Sequence, residues 1–189
     1  MKKDLSALKN GDKKRKKTKN SKWILIITIL AFIISFIFSL IAELILPDVT
    51  ILIGIIVVFL FIIIGVLFDM IGVAVASADE APFHSMASQK VKGAPLAIKL
   101  IKNASKVSSF CNDVIGDICG IVSGSAGVTI AVKLSEVLPL NSFLNSLLVT
   151  ALIAAMTIGG KACGKSLAIN KSNMILYRVT SFLSIVRKH

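Results

Sequence analysis

The sequence contains an uncharged run of 18 residues, from Ile51 to Phe68, which is followed at once by Asp69. A helix of that length is close to the minimum that crosses the hydrocarbon layer of a bilayer. An ionisable side chain at membrane depth costs free energy, so such residues usually face protein partners or a polar cavity. The run therefore predicts a transmembrane helix with a candidate functional residue near its end.

At helical spacing, small and acidic residues share one face of this helix and of the segment after it. They are Asp69, Gly72, Ala76, Asp79 and Glu80, whereas the other faces carry Ile, Val, Leu and Phe. We expect the small acidic face to contact protein and the branched faces to contact lipid. In a second interpretation, Asp79 and Glu80 simply lie in the headgroup layer at the end of the helix.

Three further apolar segments predict spans of their own, in a chain that is 55% hydrophobic over 189 residues. We therefore expect an all-α integral membrane protein with four transmembrane helices and amphipathic juxtamembrane helices. An extra first span is predicted at 23–46, before a transmembrane domain at 47–169. Within that domain we expect spans at about 49–76, 107–134 and 142–160, a basic belt at 83–106, and then a C-terminal interfacial helix at 170–189.

Lysine and arginine are concentrated on one side of these predicted spans. Residues 1–22 carry ten of the 22 basic residues, and only Lys133 falls in a loop on the other side. Because cytoplasmic loops are rich in Lys and Arg, we expect a plasma-membrane protein with both termini in the cytoplasm. Segment 1–22 is predicted to be a disordered tail that binds anionic lipids. Since a span follows it directly, we expect no nucleic-acid partner.

The third predicted span combines a glycine ridge with acidic residues. Gly116, Gly120 and Gly124 recur at a spacing that permits close approach of helices, and Asp113 and Asp117 lie beside them. We expect two neighbouring helices to bring several oxygen donors together. These donors are Asp69, Ser77, Asp79, Glu80, Asp113, Asp117, Ser123 and Ser125.

The sequence lacks the motifs GxSxG and HExxH. It has only two histidines, and its three cysteines show no CxxC spacing. We therefore expect no enzyme activity and no organic cofactor. Carboxylate and hydroxyl oxygens suit Mg²⁺, Na⁺ or H⁺, but the same acids could instead pair structurally with Lys161, Lys165 or Lys106.

Four short segments, in this order, resemble motifs of the CNNM/CorB/CorC magnesium-transporter transmembrane domain. Ser77–Met86 (SADEAPFHSM) resembles the SxSETALTSL-type motif, and Lys99–Lys106 (KLIKNASK) looks like the LLENPDR segment. Val114–Asp117 (VIGD) is similar to LVGN, and Gly160–Ala168 (GKACGKSLA) is similar to GExxPKxLA. The resemblance covers about residues 51–189 and leaves 23–46 as an additional span.

The resemblance implies a homodimer of the CorB/CorC type that transports or exports Mg²⁺. By position, its Mg²⁺ ligands would be Asp79, Glu80 and Asp117, with Ser77, Ser123 and Ser125 nearby. The family continues into CBS domains, and we expect no nucleotide-binding domain in this chain.

A second hypothesis arises where the sequence departs from the family. Asp79 and Asp117 replace a serine and an asparagine, and Lys161 replaces a glutamate. The added acids could strengthen cation binding. Alternatively, Lys161 could neutralise Asp117 and form a charge lock, as expected of a non-transporting membrane scaffold or accessory subunit.

Overall fold

A computed structural model describes residues 2–45, 49–137 and 142–186. All regular secondary structure within these ranges is helical. Four helical stretches are long and apolar enough to cross a membrane, and each overlaps a predicted span: Trp23–Ile45, Ile51–Ser77, Ala104–Ser135 and Phe143–Asn170. The prediction of an all-α chain with four candidate transmembrane helices is confirmed.

Short connections join the helices. One π-helical segment, Phe110–Gly116, is continuous with an α-helix on each side. The α-helices are α1 (Lys2–Ile45), α2 (Ile51–Ser77), α3 (Ala81–Ser88), α4 (Ala94–Lys102), α5 (Ala104–Ser109), α6 (Asp117–Val137), α7 (Ser142–Asn170) and α8 (Ser172–Val186). The third span is therefore composed of α5, the π-helical segment and α6.

Helix α1 includes the basic segment that was predicted to be disordered. It runs without interruption from Lys2 to Ile45. Lysine is a good helix former, this range contains no proline, and each residue added to an existing helix gains a hydrogen bond. Met1 and the predicted turn at Pro47-Asp48 lie outside the described residues.

Helix α2 lies at the centre of the bundle and packs against α6 and α7. One apolar cluster joins the three helices through Val58 and Ile62 of α2, Ile130 of α6 and Ile153 of α7. At Gly127 of α6, an added Cβ would lie 2.1 Å from the Ile153 side chain, so glycine allows α7 to pack closely there. This core fixes the relative positions of the last three spans.

Helices α3, α4 and α8 form a second layer at one end of the bundle, which we call the basic end. Phe83 of α3 is 1% exposed and packs with Val75 of α2, Ala97 of α4 and Leu176 of α8. Gly93 precedes α4 with a φ of +87°, and an added Cβ would lie 2.8 Å from the Ser181 backbone nitrogen. Glycine is needed there for both the backbone conformation and the close approach of α8.

Candidate functional site

Two glycines of α2 let the third span pass very close to it. A Cβ added at Gly65 would lie 3.0 Å from Cys119 Cβ, and one added at Gly72 would lie 1.9 Å from Asn112 Oδ1. The closest part of this crossing therefore extends from Gly65 to Gly72. Asp69 lies between these glycines, one helical turn from each.

The π-helical segment Phe110–Gly116 supplies the other side of this crossing. Gly116 is buried, and a Cβ added there would lie 3.3 Å from the carbonyl oxygen of Cys111, five residues earlier. Short π-helical turns inside α-helices are frequent at functional sites. The sequence analysis predicted an ordinary helix here and did not identify Asn112, although an amide inside an apolar span was the available signal.

Asp69 is 3% exposed and has an incomplete set of polar partners. Its Oδ2 lies 3.7 Å from Lys165 Nζ, a distance at which the charges attract but no hydrogen bond forms. Within the described part of the chain, Asp69 Oδ2 and Asn112 Oδ1 are both buried acceptors without a hydrogen-bond partner. Asn112 Oδ1 faces Gly72, which is one helical turn from Asp69 on the same stripe of α2.

Lys161 of α7 forms a direct ion pair with Asp117 at the start of α6. The Nζ–Oδ1 distance is 2.9 Å, and the Lys161 and Asp117 side chains are 17% and 62% exposed. The pair on which the charge-lock hypothesis depends is therefore present. We call Asp69, Asn112, Asp117, Lys161 and Lys165 the polar centre.

Glycines also bring α7 close to α2 beside this centre. Gly160 and Gly164 precede Lys161 and Lys165 by one residue each. A Cβ added at Gly160 would lie 2.9 Å from the Val66 side chain, and one added at Gly164 would lie 2.7 Å from Met70 Cγ. This packing holds the two lysines one helical turn apart along the same edge of α7.

The polar centre lies inside the length of the spans. Asp69 precedes the end of α2 by eight residues, and Lys161 precedes the end of α7 by nine. At 1.5 Å per residue these separations are about 12 and about 14 Å. Because α2 and α7 both end at the basic end, the polar centre lies about 12 to 14 Å from that end, inside the bundle.

Asp79 and Glu80 lie at the basic end and have local partners. The Asp79 carboxylate accepts a hydrogen bond from the Ala81 amide at 3.2 Å, next to the start of α3. Glu80 Oε1 lies 2.9 Å from His84 Nε2 and 3.6 Å from Lys102 Nζ. Both carboxylates therefore have partners at the start of α3, and Glu80 also lies near α4.

The structure does not bring Asp79 and Glu80 together with Asp117. Residue 116 packs beside Gly65, and residue 79 lies 14 positions further along the chain. Helix α2 ends at Ser77, twelve residues or about 18 Å beyond Gly65, and Asp79 lies past that end. Across the described ranges, no group of three or more His, Cys, Asp or Glu side chains is close enough to hold a metal ion.

The predicted serine ligands are divided between α2 and α6, and Asp113, the other acid of the third span, lies in the π-helical segment. Ser77 is exposed at the last position of α2. Ser123 is fully buried and donates to the Gly120 carbonyl at 3.0 Å, whereas Ser125 donates to the Val122 carbonyl at 3.1 Å. Asp113 is exposed in a groove beside α1.

The predicted glycine ridge is used only in part. Gly116 packs against α2, but a Cβ added at Gly120 or Gly124 would meet no atom within 4 Å. The ridge therefore does not supply the close helix contact expected along its whole length, because α6 turns these two glycines away from α2 and α7.

Comparisons of the chain with protein-family models, curated proteins and solved structures find no match. The resemblance to the CNNM/CorB/CorC family therefore stays a prediction. The polar centre has to be interpreted from its own geometry.

Proposed function

We propose that this chain, whose four apolar helices fit a membrane protein, moves a cation across the bilayer. Mg²⁺ is the ion implied by the sequence resemblance, and the protein would then be a transporter or exporter of the CorB/CorC type. One observation carries the proposal: two buried oxygens, Asp69 Oδ2 and Asn112 Oδ1, have no hydrogen-bond partner, and they lie within helical stretches long and apolar enough to cross a membrane.

Unpaired buried acceptors are uncommon because each costs about 1–3 kcal/mol in lost solvation. A bound cation, with the waters it retains, would satisfy both oxygens. Mg²⁺ typically keeps several waters and binds one or two carboxylates, so Asp69 and Asn112 form a chemically reasonable ligand pair. The proposal thus moves the site from Asp79 and Glu80 to the polar centre.

Lys165 is the group that opposes a cation at Asp69. Its ammonium is 3.7 Å from the carboxylate, but its side chain is 50% exposed and long enough to swing away. In this proposal Lys165 neutralises Asp69 while no ion is bound and is displaced when one arrives. Such an exchange avoids leaving an isolated charge in the bilayer.

Flux into proteoliposomes tests the proposal. We expect Asp69→Asn to lower Mg²⁺ uptake by about tenfold or more, the effect of about 1.4 kcal/mol at the limiting step. Glu43→Gln is the matched control, because it removes an acid from α1 outside the polar centre. Uptake that is unchanged by Asp69→Asn, or absent from the parent protein, would contradict the proposal.

The ligand set implied by the resemblance needs a separate variant. Asp79→Asn combined with Glu80→Gln, at two positions outside the polar centre, should leave most of the uptake if the site is at Asp69. If uptake were lost in this double variant but kept in Asp69→Asn, the site would instead be at the residues chosen by sequence position.

A membrane scaffold or accessory subunit is the second candidate, and the Lys161–Asp117 pair favours it. In that case the ion pair only holds α6 and α7 together, and the parent protein carries no cation. Absence of uptake by the parent protein, together with a loss of stability in Lys161→Ala, would favour this second candidate.

We further propose a homodimer in the plasma membrane with both termini in the cytoplasm. The open glycines Gly120 and Gly124 offer a close-packing face on α6. Cross-linking in native membranes should yield a dimer that Gly120→Leu weakens. The basic segment 2–22 would lie against anionic lipid, and deleting residues 1–19 should lower affinity for anionic vesicles.

A further inference from the structure

We infer that an anionic phospholipid binds in the groove between α1 and the start of the third span. This groove has a volume of about 1080 Å³ and is open on one side. Trp23, Ile27 and Ala31 of α1 form one wall, and Lys106, Ser109 and Val114 belong to the opposite wall. The inference does not depend on cation transport.

The groove is basic at one end and apolar along its α1 wall. Lys102, Asn103, Ser105 and Lys106 lie near the ends of α4 and α5, where the span begins. Ile24, Ile27 and Ala31 extend about 12 Å along α1 from Trp23. A phosphate at the lysines would therefore place its acyl chain along the apolar wall, as in basic interhelical pockets that bind lipid headgroups.

Lys106 and Trp23 form the narrow contact across the groove. Lys106 Nζ lies 5.1 Å from the centroid of the Trp23 ring. Tryptophan is favoured at the level of lipid headgroups, and a cation over its face is attracted to the ring. The contact fixes an ammonium at the depth where a phosphate lies.

Lys102 is available to the same phosphate. Its side chain is 60% exposed, and its contact with Glu80 has an Nζ–Oε1 distance of 3.6 Å, too long for a hydrogen bond. Asp113, the acid that lines the groove, follows Lys106 by seven residues, or about 10 Å of helix. The lysine end is thus the part of the groove that suits an anion.

Trp23 is the sole tryptophan of the chain, so its fluorescence reports on this groove alone. The protein is reconstituted in vesicles of one fixed composition, with a minority of phosphatidylglycerol in phosphatidylcholine. Bromine, which quenches tryptophan, is placed on the acyl chains of the phosphatidylglycerol or of an equal amount of phosphatidylcholine. Surface potential is the same in both samples, so any difference in quenching reports selective occupancy.

We expect the brominated anionic lipid to be enriched beside Trp23 by about fivefold, the ratio that corresponds to one lysine–phosphate contact. Lys102→Gln combined with Lys106→Gln should abolish the difference between the two lipids. Lys92→Gln combined with Lys99→Gln removes the same charge from exposed positions outside the groove and should preserve it. The ratio is taken within each variant, so a change in Trp23 emission does not affect it.

Equal quenching by the two lipids in the parent protein would overturn the inference. So would an equal loss in the Lys92/Lys99 variant, which would indicate a general attraction to the basic surface. Inorganic phosphate should not relieve the quenching. If it did so at millimolar concentration, the groove would be a site for a free anion, and lipid binding would be rejected.

Discussion

Lys161 Nζ lies 2.9 Å from Asp117 Oδ1, and the two side chains differ sharply in their exposure. The lysine is 17% exposed, whereas the aspartate is 62% exposed and faces away from the bundle core. The lysine reaches Asp117 beside Gly116, where an added Cβ would lie 3.7 Å from its Nζ. This contact ties the fourth span to the third one beside the closest crossing of α2.

We expect Lys161→Ala to lower the free energy of unfolding by about 2 kcal/mol, because it leaves a carboxylate at membrane depth without its partner. The double reversal Lys161→Glu with Asp117→Lys should recover part of that loss. Thermal unfolding in detergent measures both effects, with Lys171→Ala at an exposed position as the control. No recovery in the reversed pair would argue against a charge lock.

Gly72→Ala should destabilise the crossing of α2 with the π-helical segment. The new Cβ would lie 1.9 Å from Asn112 Oδ1 and 3.1 Å from Cys111 Cβ, and overpacking of this kind costs about 1–3 kcal/mol. Adding Asn112→Ala should restore part of the stability, because it removes the nearer obstacle. Gly124→Ala, which meets no atom within 4 Å, should change the melting temperature little. Equal shifts for Gly72→Ala and Gly124→Ala would show that this approach is not tight.

Phe83→Ala should loosen the layer at the basic end. Phe83 is 1% exposed among Val75, Ala97 and Leu176, and truncation of a buried phenylalanine costs about 3–5 kcal/mol. We expect a protease to cleave this variant faster within α3, α4 and α8 than in the spans. Mass spectrometry of the fragments identifies the cleavage sites. Pro82→Ala, at an exposed neighbouring position, is the control. A protease pattern that is identical to that of the parent would contradict this role.

The proposed orientation can be checked by labelling. In a background with Cys111, Cys119 and Cys163 replaced by alanine, single cysteines are introduced at Thr50 or Ser88, which are exposed near opposite ends of α2. A membrane-impermeant maleimide applied to intact cells should label Thr50→Cys and spare Ser88→Cys. The reverse pattern would place the basic end outside and reject the orientation.

Composition and periodicity were sufficient to predict the spans. The uncharged run Ile51–Phe68 and the three other apolar segments each correspond to a helix long enough to cross a bilayer. Hydropathy determines this outcome because backbone polar groups in a bilayer have to be satisfied within each helix. The basic segment differs from the expectation, because disorder was predicted for 1–22 whereas helix α1 begins at Lys2.

The arrangement of the candidate site could not be derived in the same way. Asp79, Glu80 and Asp117 were grouped because their motifs follow one another in the chain, but sequence order does not fix how far two helices are shifted along each other. That shift is set by the fit of Gly65 and Gly72 against the π-helical segment. It places Asn112 beside the stripe that includes Asp69, and leaves Asp79 beyond the end of α2, which is about 18 Å from Gly65 and the neighbouring Gly116.

The sequence by itself determined that the chain is helical, that four helices can span a membrane, and that several acids lie within or next to them. These properties follow from local hydropathy and backbone hydrogen bonding. Only the tertiary structure decided which acids acquire a lysine partner and which buried oxygens remain unpaired. Those outcomes depend on side-chain volumes where helices cross, above all on the absence of a Cβ at Gly65, Gly72, Gly160 and Gly164.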